Sequence, residues 1–139
     1  MDGRAFLGAA RHLLAAPSEA NRRAAAGRVY YALVHEGRTA LERWGFPMPP
    51  GEHIHQFVRL RFTWPAHPDI RQVGDALDEL ARLRNRADYQ LAAPGSFSTD
   101  RPALNALTVA EAAIDLLDQI EADPARRAAA VAAVRKAFP

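Results

Sequence analysis

Residues 19–44 read EANRRAAAGRVYYALVHEGRTALERW, the longest helical pattern in this chain of 139 residues. Small and apolar side chains return every three or four positions, which places them on one face of a helix. They are Ala20, Ala24, Gly27, Tyr31, Val34 and Leu41, with Tyr30, Leu33 and Ala40 widening the stripe. A helix of this length with a wide apolar stripe is expected at the centre of a helical domain. Gly37 costs this helix about 1 kcal/mol relative to alanine, which a close helix crossing there would explain.

Glycine and proline divide the rest of the chain into further helical segments. The apolar periodicity predicts helices at about 3–16, 53–62, 69–91, 101–122 and 124–138. Ser18, Asp69 and Asp100 are expected to cap helix N-termini, because short polar side chains accept hydrogen bonds from free backbone N–H groups. Strand-like alternation does not occur, so the expected fold class is all-α, a five- to six-helix up-and-down bundle. We expect residues 1–139 to form a single domain, with 124–138 as an additional C-terminal helix.

Composition excludes several classes of function. The chain has no cysteine, which removes disulfides, thiolate nucleophiles and Cys-ligated zinc. No apolar run approaches the ~20 residues of a membrane span, and Arg4 and Arg11 interrupt any signal-peptide core. We therefore expect a soluble, cytoplasmic protein with no membrane partner. His53 and His55 diverge on a helix without a clear third ligand, so neither a metal nor another cofactor is expected.

The charge is unevenly distributed along the chain. Lysine and arginine total 18 against 16 acidic residues, for a net charge of +2, and only Lys136 is lysine. Residues 1–65 carry a net charge of +4, whereas residues 66–139 carry −2. The first half could therefore offer a positive surface to phosphate, for which arginine has a rigid fork of donors. A GC-rich genome is the alternative explanation for the excess of arginine.

Residues 80–91 read LARLRNRADYQL and place a charged side chain on an apolar face. Arg84 falls within the stripe that this helix is expected to bury, formed by Val73, Leu77, Leu80 and Leu91. A buried charge needs a partner, and Asp88 lies one turn later, within reach of Arg84. The neighbouring polar residues are Arg82 and Arg86 on the opposite side, together with Asn85 and Tyr89. Two interpretations stay open, a structural Arg–Asp pair where helices pack, or an arginine-lined groove that holds phosphate.

A second candidate group lies within residues 26–41. Tyr31 and His35 are four positions apart and share one face of the predicted helix. Arg28, Arg38 and the exposed edge of His35 could face the same groove. The alternative is that His35 is a structural residue held by hydrogen bonds.

Together these segments resemble the HEPN superfamily, the higher eukaryotes and prokaryotes nucleotide-binding domains. The similarity is greatest to a bacterial branch with the patterns S-R-A-Y-Y-A-x-x-H-A and R-x-x-A-D-Y. The first pattern is matched by Arg28, Tyr30, Tyr31, Ala32 and His35, and the second by Arg84, Ala87, Asp88 and Tyr89. His53, followed by Phe57 and Phe62, is similar to the opening of that branch's third helix. The resemblance covers about residues 5–122.

The resemblance implies a helical bundle that is commonly a homodimer. In the superfamily's ribonucleases, an arginine and a polar residue position the phosphate, and a histidine four to six residues after the arginine acts in acid–base chemistry. Cleavage there is metal-independent and uses the RNA 2′-hydroxyl. Arg84 and Asn85 match the first two residues, but Tyr89 stands where the histidine is expected. Tyrosine, with a pKa of about 10, is a poor base at neutral pH, so His35 would have to substitute.

The resemblance implies an RNA-directed protein, acting as a metal-independent endoribonuclease of a toxin–antitoxin or defence system. Its implied catalytic residues are Arg84, Asn85, Asp88, Tyr89 and His35, and its implied phosphate-binding residues are Arg82, Arg86, Arg28 and Arg38. The alternatives are a non-catalytic module whose Tyr89 is modified by a partner nucleotidyltransferase, and a nucleotide-binding helical domain. A homodimer is expected from the resemblance, and because a monomer would have to bury Arg84.

Overall fold

The computed structural model describes residues 2–92 and 95–139, which form six α-helices and no β-strand. The helices are α1 (Ala5–Ala15), α2 (Glu19–Arg43), α3 (Ile54–Thr63), α4 (Pro68–Tyr89), α5 (Arg101–Ala122) and α6 (Pro124–Ala137). One turn of 3-10 helix, Gly51–His53, leads into α3. The predicted all-α bundle is confirmed, and each predicted helix end lies within two residues of the observed one. Within the described residues, no helix is both long enough and apolar enough to cross a membrane.

Helix α2 lies at the centre of the bundle, in contact with α1, α3, α4 and α5. Arg23 near its start contacts the end of α4, so these two helices run antiparallel. Trp44, just after its end, is buried and donates to Glu121 at the end of α5, so α2 and α5 run parallel. Trp44 thus closes one end of the bundle, whereas Trp64 is largely exposed and stacks on Phe138.

Two glycines allow α3 to pack closely between α2 and α4. A Cβ atom at Gly37 of α2 would lie 3.1 Å from Val58 Cγ1 and 3.2 Å from Phe62 Cε2, which confirms the predicted helix crossing. At Gly74 of α4, a Cβ atom would overlap the backbone carbonyl of Phe62. Phe62 itself is fully buried. The position of α3 therefore depends on a contact that only glycine permits at Gly74 and on a tight one at Gly37.

Of the three predicted helix caps, only Ser18 makes the expected capping hydrogen bond, with its Oγ accepting from the backbone N–H of Asn21 at 3.0 Å. The prediction for Asp69 is wrong, because α4 begins after His67 and the Asp69 carboxylate accepts hydrogen bonds from Arg126 at 2.6 and 3.0 Å. For Asp100 the predicted N-cap position is confirmed, but its carboxylate accepts from Arg22 Nε at 2.7 Å and makes no capping bond. In both cases the carboxylate accepts from a guanidinium rather than from a backbone N–H, because charge-assisted hydrogen bonds are stronger than neutral ones.

Helix α6 joins the ends of three other helices. Arg126 binds Asp69 at the start of α4, and this hydrogen bond holds the pKa of the Asp69 carboxyl below its usual value. Arg127 donates to the Arg43 carbonyl at 3.1 Å, where α2 ends, and its Nε lies 3.4 Å from the Glu121 carboxylate of α5. The alanine-rich segment is therefore docked through its arginines as well as through its small apolar face.

Arg23 is the buried charged residue among those that the structure describes. Its Nη1 donates to the carbonyl oxygens of Arg86 and Ala87 at 3.1 and 2.9 Å. Its Nη2 reaches the carbonyl oxygens of Gln90 and Leu91 at 3.3 and 3.4 Å. A helix end leaves its last carbonyl groups without partners, so Arg23 caps the C-terminus of α4 from a neighbouring helix.

Candidate functional site

A groove of about 790 Å³ lies between α3 and the C-terminal half of α4, with α2 as its floor. We call it the α3–α4 groove. Its polar lining residues are Tyr30, Tyr31, His55, Gln56, Arg59, Thr63, Asp78, Arg84 and Asn85. The volume falls within the range of sites that hold small molecules or cofactors.

Arg84 is fixed within its own chain at one side of the α3–α4 groove. Its Nη2 donates to the Tyr31 hydroxyl at 3.1 Å. Its Nε lies 3.0 Å from Asp88 Oδ2, which confirms the predicted i,i+4 pair, but without the alignment of a hydrogen bond. The side chain is 25% exposed. Since Tyr31 and Asp88 accommodate Arg84, burying this charge does not require a second copy of the chain.

His55 of α3 is the histidine that lines the α3–α4 groove, and sequence reasoning missed it as a site residue. Its Nδ1 lies 3.4 Å from the Tyr30 hydroxyl, and the Tyr31 ring meets the imidazole edge-on at 5.3 Å between centroids. Burial lowers the pKa of His55, and the nearby charges of Arg84, His35 and Arg59 lower that pKa further. The neutral form of His55 is therefore favoured in the free protein.

A sequence signal for His55 does exist. It is followed at helical spacing by Val58 and Phe62, both buried. Positions i, i+3 and i+7 share one face of a helix. His55 thus lies on the inward face of α3, whereas its neighbour His53 is exposed.

An ion pair crosses the α3–α4 groove beside these residues. Arg59 of α3 donates through Nε and Nη2 to Asp78 Oδ1 of α4, at 3.3 and 3.0 Å. Asn85, one residue after Arg84, adds an exposed amide to the same lining. The groove therefore presents guanidinium, amide, imidazole and phenol groups together with one carboxylate.

The structure does not bring Tyr89 and His35 into the α3–α4 groove. Tyr89 ends α4 with a side chain that is 73% exposed, and it is not a lining residue. His35 stacks on Phe6 at 5.2 Å between ring centroids, nearly parallel at 11°. The histidine that lines the groove with Arg84 is His55 of α3, and the expectation that His35 would lie beside Arg84 is wrong.

The other predicted phosphate-binding arginines lie outside the α3–α4 groove. Arg82 and Arg86 are exposed and line a separate hollow of about 400 Å³, to which Asn85 also contributes. Arg28 is exposed beside a smaller hollow of about 260 Å³. Arg38 pairs with Glu42 at 2.7 Å on the same helix. Of the predicted site residues, Arg84 and Asn85 line the groove, and Asp88 supports it from behind Arg84.

The lining of the α3–α4 groove is rich in hydrogen-bond donors, which suits an anionic ligand. In the part of the chain that the structure describes, no three histidine, aspartate or glutamate residues gather as ligands for a metal ion. No family model, curated protein or solved structure matches this chain. The chemistry of the lining residues is therefore the basis for a function.

Proposed function

We propose that this chain is an RNA-directed protein of the HEPN type and that the α3–α4 groove holds a phosphate of the RNA backbone. The observation that carries the proposal is the fixed position of Arg84 beside Asn85. Tyr31 and Asp88 engage two of the three guanidinium nitrogens, Nη2 and Nε. The remaining edge of the planar guanidinium is available for a phosphate oxygen, the ligand that its geometry favours.

We propose binding rather than cleavage as the function of this site. Cleavage through the 2′-hydroxyl needs a group that removes its proton. Neither Tyr89 nor His35 lies in the groove with Arg84, and the histidine that does, His55, has its Nδ1 3.4 Å from the Tyr30 hydroxyl rather than open to a ligand. If the protein is a metal-independent ribonuclease, it would release RNA products that end in a 2′,3′-cyclic phosphate even in a buffer that contains a chelator. Such products would extend the function from RNA binding to cleavage.

Arg84→Ala is expected to weaken binding of single-stranded RNA about tenfold, since one charge-assisted hydrogen bond contributes about 1.5 kcal/mol or more. Fluorescence anisotropy with a labelled oligonucleotide, in EDTA and at several salt concentrations, measures this change. The variant should also reduce the slope of log affinity against log salt by about one.

Arg71→Ala is the matched control, because Arg71 is exposed on the same helix and does not line the groove. Its affinity for RNA should stay close to that of the wild type. Equal weakening by Arg71→Ala and Arg84→Ala would show that only diffuse charge matters, and no binding by the wild-type protein would exclude the function.

A second candidate function is a non-catalytic module that is modified by a partner nucleotidyltransferase. The observation that favours it is the exposure of Tyr89, whose hydroxyl an enzyme can reach at the end of α4. With ATP and a nucleotidyltransferase encoded beside this chain, we expect mass spectrometry to find adenylate on Tyr89. Tyr89→Phe should remain unmodified, and adenylate found on Tyr31 instead would contradict this assignment.

A further inference from the structure

The fixed charges of the α3–α4 groove nearly cancel. Arg59 binds Asp78 with Nη2 and Oδ1 at 3.0 Å, and Arg84 Nε lies 3.0 Å from Asp88 Oδ2. Two cations are thus each compensated by a carboxylate, so that an anion entering the groove meets little net positive charge. Among the described lining residues, His55 alone can add a positive charge near neutral pH.

The residues around His55 disfavour its charged form. The titratable and charged groups near it are Tyr30, Tyr31 and His35 from α2, Arg59 from α3, and Asp78 and Arg84 from α4. Burial and the cations in this set disfavour the charged imidazole and lower its pKa, with burial as the largest cause. A bound phosphate would add negative charge beyond that of Asp78, which is already paired with Arg59, and would therefore favour the imidazolium.

The hydrogen bond with Tyr30 determines which ring nitrogen is left for a ligand. Burial raises the pKa of the Tyr30 phenol, so the hydroxyl keeps its proton, and it lies 3.4 Å from Nδ1. In the tautomer with the proton on Nε2 the hydroxyl donates to Nδ1, and Nε2–H is left for a ligand. When the ring becomes charged, the Tyr30 hydroxyl can rotate and accept a hydrogen bond from the new Nδ1–H.

We propose that His55 is an anion-binding residue of the α3–α4 groove, which donates Nε2–H to a phosphate and takes up one proton from solvent as the phosphate binds. That this phosphate belongs to RNA rests on the proposed function, whereas the coupling of anion binding to protonation rests on the charges of the groove alone. The consequence is an affinity for phosphate that falls as the pH rises from the pKa of His55 in the free protein, which lies below 6.5, to its higher pKa in the complex.

The first test follows His55 itself in the whole protein. Imidazole resonances recorded against pH give the pKa of each histidine, with inorganic phosphate as the probe and chloride at equal ionic strength as the control. We expect the pKa of His55 to lie below its ordinary value of 6.5 in chloride and to rise in phosphate. An unchanged pKa of His55 in phosphate would overturn the inference.

The second test measures RNA affinity at pH 5.5 and pH 7.5. If phosphate raises the pKa of His55 by one unit, the wild-type protein should bind RNA up to about tenfold more tightly at the lower pH. His55→Gln keeps a neutral N–H donor but cannot become charged, so its affinity should change much less. His12→Gln, at an exposed histidine on α1, should behave as the wild type.

The outcomes separate this inference from the proposed function. If the His55→Gln protein keeps the wild-type pH dependence while Arg84→Ala abolishes binding, the role of His55 is wrong and RNA binding stands. If phosphate raises the pKa of His55 but RNA does not bind at either pH, the RNA function is wrong and the phosphate site stands.

Discussion

Replacing Arg23 with methionine is expected to destabilise the protein by about 3 kcal/mol, the largest effect that we predict for a single side chain. Methionine has a similar length but cannot donate to the α4 carbonyl oxygens. The two shortest of these hydrogen bonds, to Arg86 and Ala87, would be lost, at about 1.5 kcal/mol for each bond from a charged donor. Thermal or urea unfolding measures the loss, and amide exchange should quicken in the last turn of α4.

Glu19→Gln is the matched control for Arg23→Met. Glu19 accepts from Arg23 Nε and Nη2 at 3.1 and 3.0 Å, but its side chain is 59% exposed. An ion pair with one exposed partner contributes at most about 1 kcal/mol, so Glu19→Gln should have a small effect. If the two variants were equally destabilised, the ion pair rather than the capping of α4 would explain the burial of Arg23.

Alanine at Gly74 is expected to destabilise the protein by about 2 kcal/mol, although alanine is the better helix former. Its Cβ atom would overlap the carbonyl group of Phe62 and lie 3.0 Å from Thr63 Cα. Backbone atoms cannot rotate aside as a side chain can, so α3 would have to move, at a cost of about 3 kcal/mol. The helix-propensity gain of about 1 kcal/mol offsets only part of this cost. We expect thermal unfolding to show a decrease of about 7 °C in Tm.

Gly27→Ala is the control for Gly74→Ala, because a Cβ atom at Gly27 meets nothing within 4 Å. This variant should be more stable than the wild type by up to about 1 kcal/mol. The stability of Gly37→Ala should fall between those of the other two variants, because its added Cβ atom contacts side-chain ends that can move, Val58 Cγ1 and the Phe62 ring. Equal stability of the Gly27 and Gly74 variants would refute the close approach of α3 to α4.

Local features of the fold could be predicted from the sequence. Proline, glycine and polar caps act within a few residues of their own position, which is why the helix ends and the Ser18 cap are confirmed. The capping hydrogen bonds expected at Asp69 and Asp100 do not form, because their carboxylates bind residues that are distant in the sequence. Their actual partners, Arg126 and Arg22, are 57 and 78 residues away in the chain, and no local pattern reports such a pairing.

The identity of the buried arginine shows the same limit. Arg84 and Arg23 both lie on apolar faces of their helices, and the sequence analysis selected Arg84. Arg23 is buried instead, because the end of α4 offers it four carbonyl oxygens, whereas Arg84 borders the α3–α4 groove and stays 25% exposed. Which of the two is buried depends on where α4 ends relative to α2, which is a property of the packed bundle.

The site residues on α4 could be predicted from the sequence, but their association with residues of α2 and α3 could not. Arg84 and Asn85 could be selected because they belong to one motif, and the prediction that Asp88 pairs with Arg84 is confirmed. His55 was assessed only as a metal ligand with His53, although its spacing to Val58 places it on the buried face of α3. Its partners Tyr30 and Arg84 belong to other helices, so only the packing of α3 assigns it to the groove.

The close contacts of α3 with Gly37 and Gly74 hold one end of the helix, so the geometry of the groove depends on them. They hold the helix near Phe62, while His55 lies seven residues away, about 10 Å along the axis. A rotation of a rigid rod by about 6° around the held end displaces a point at that distance by about 1 Å. A side chain at residue 74, which does not line the groove, would push on the backbone of α3 and so change the spacing between the His55 imidazole and the Arg84 guanidinium. Change at a buried glycine is therefore a route by which related chains could acquire a different ligand preference while every lining residue stays the same.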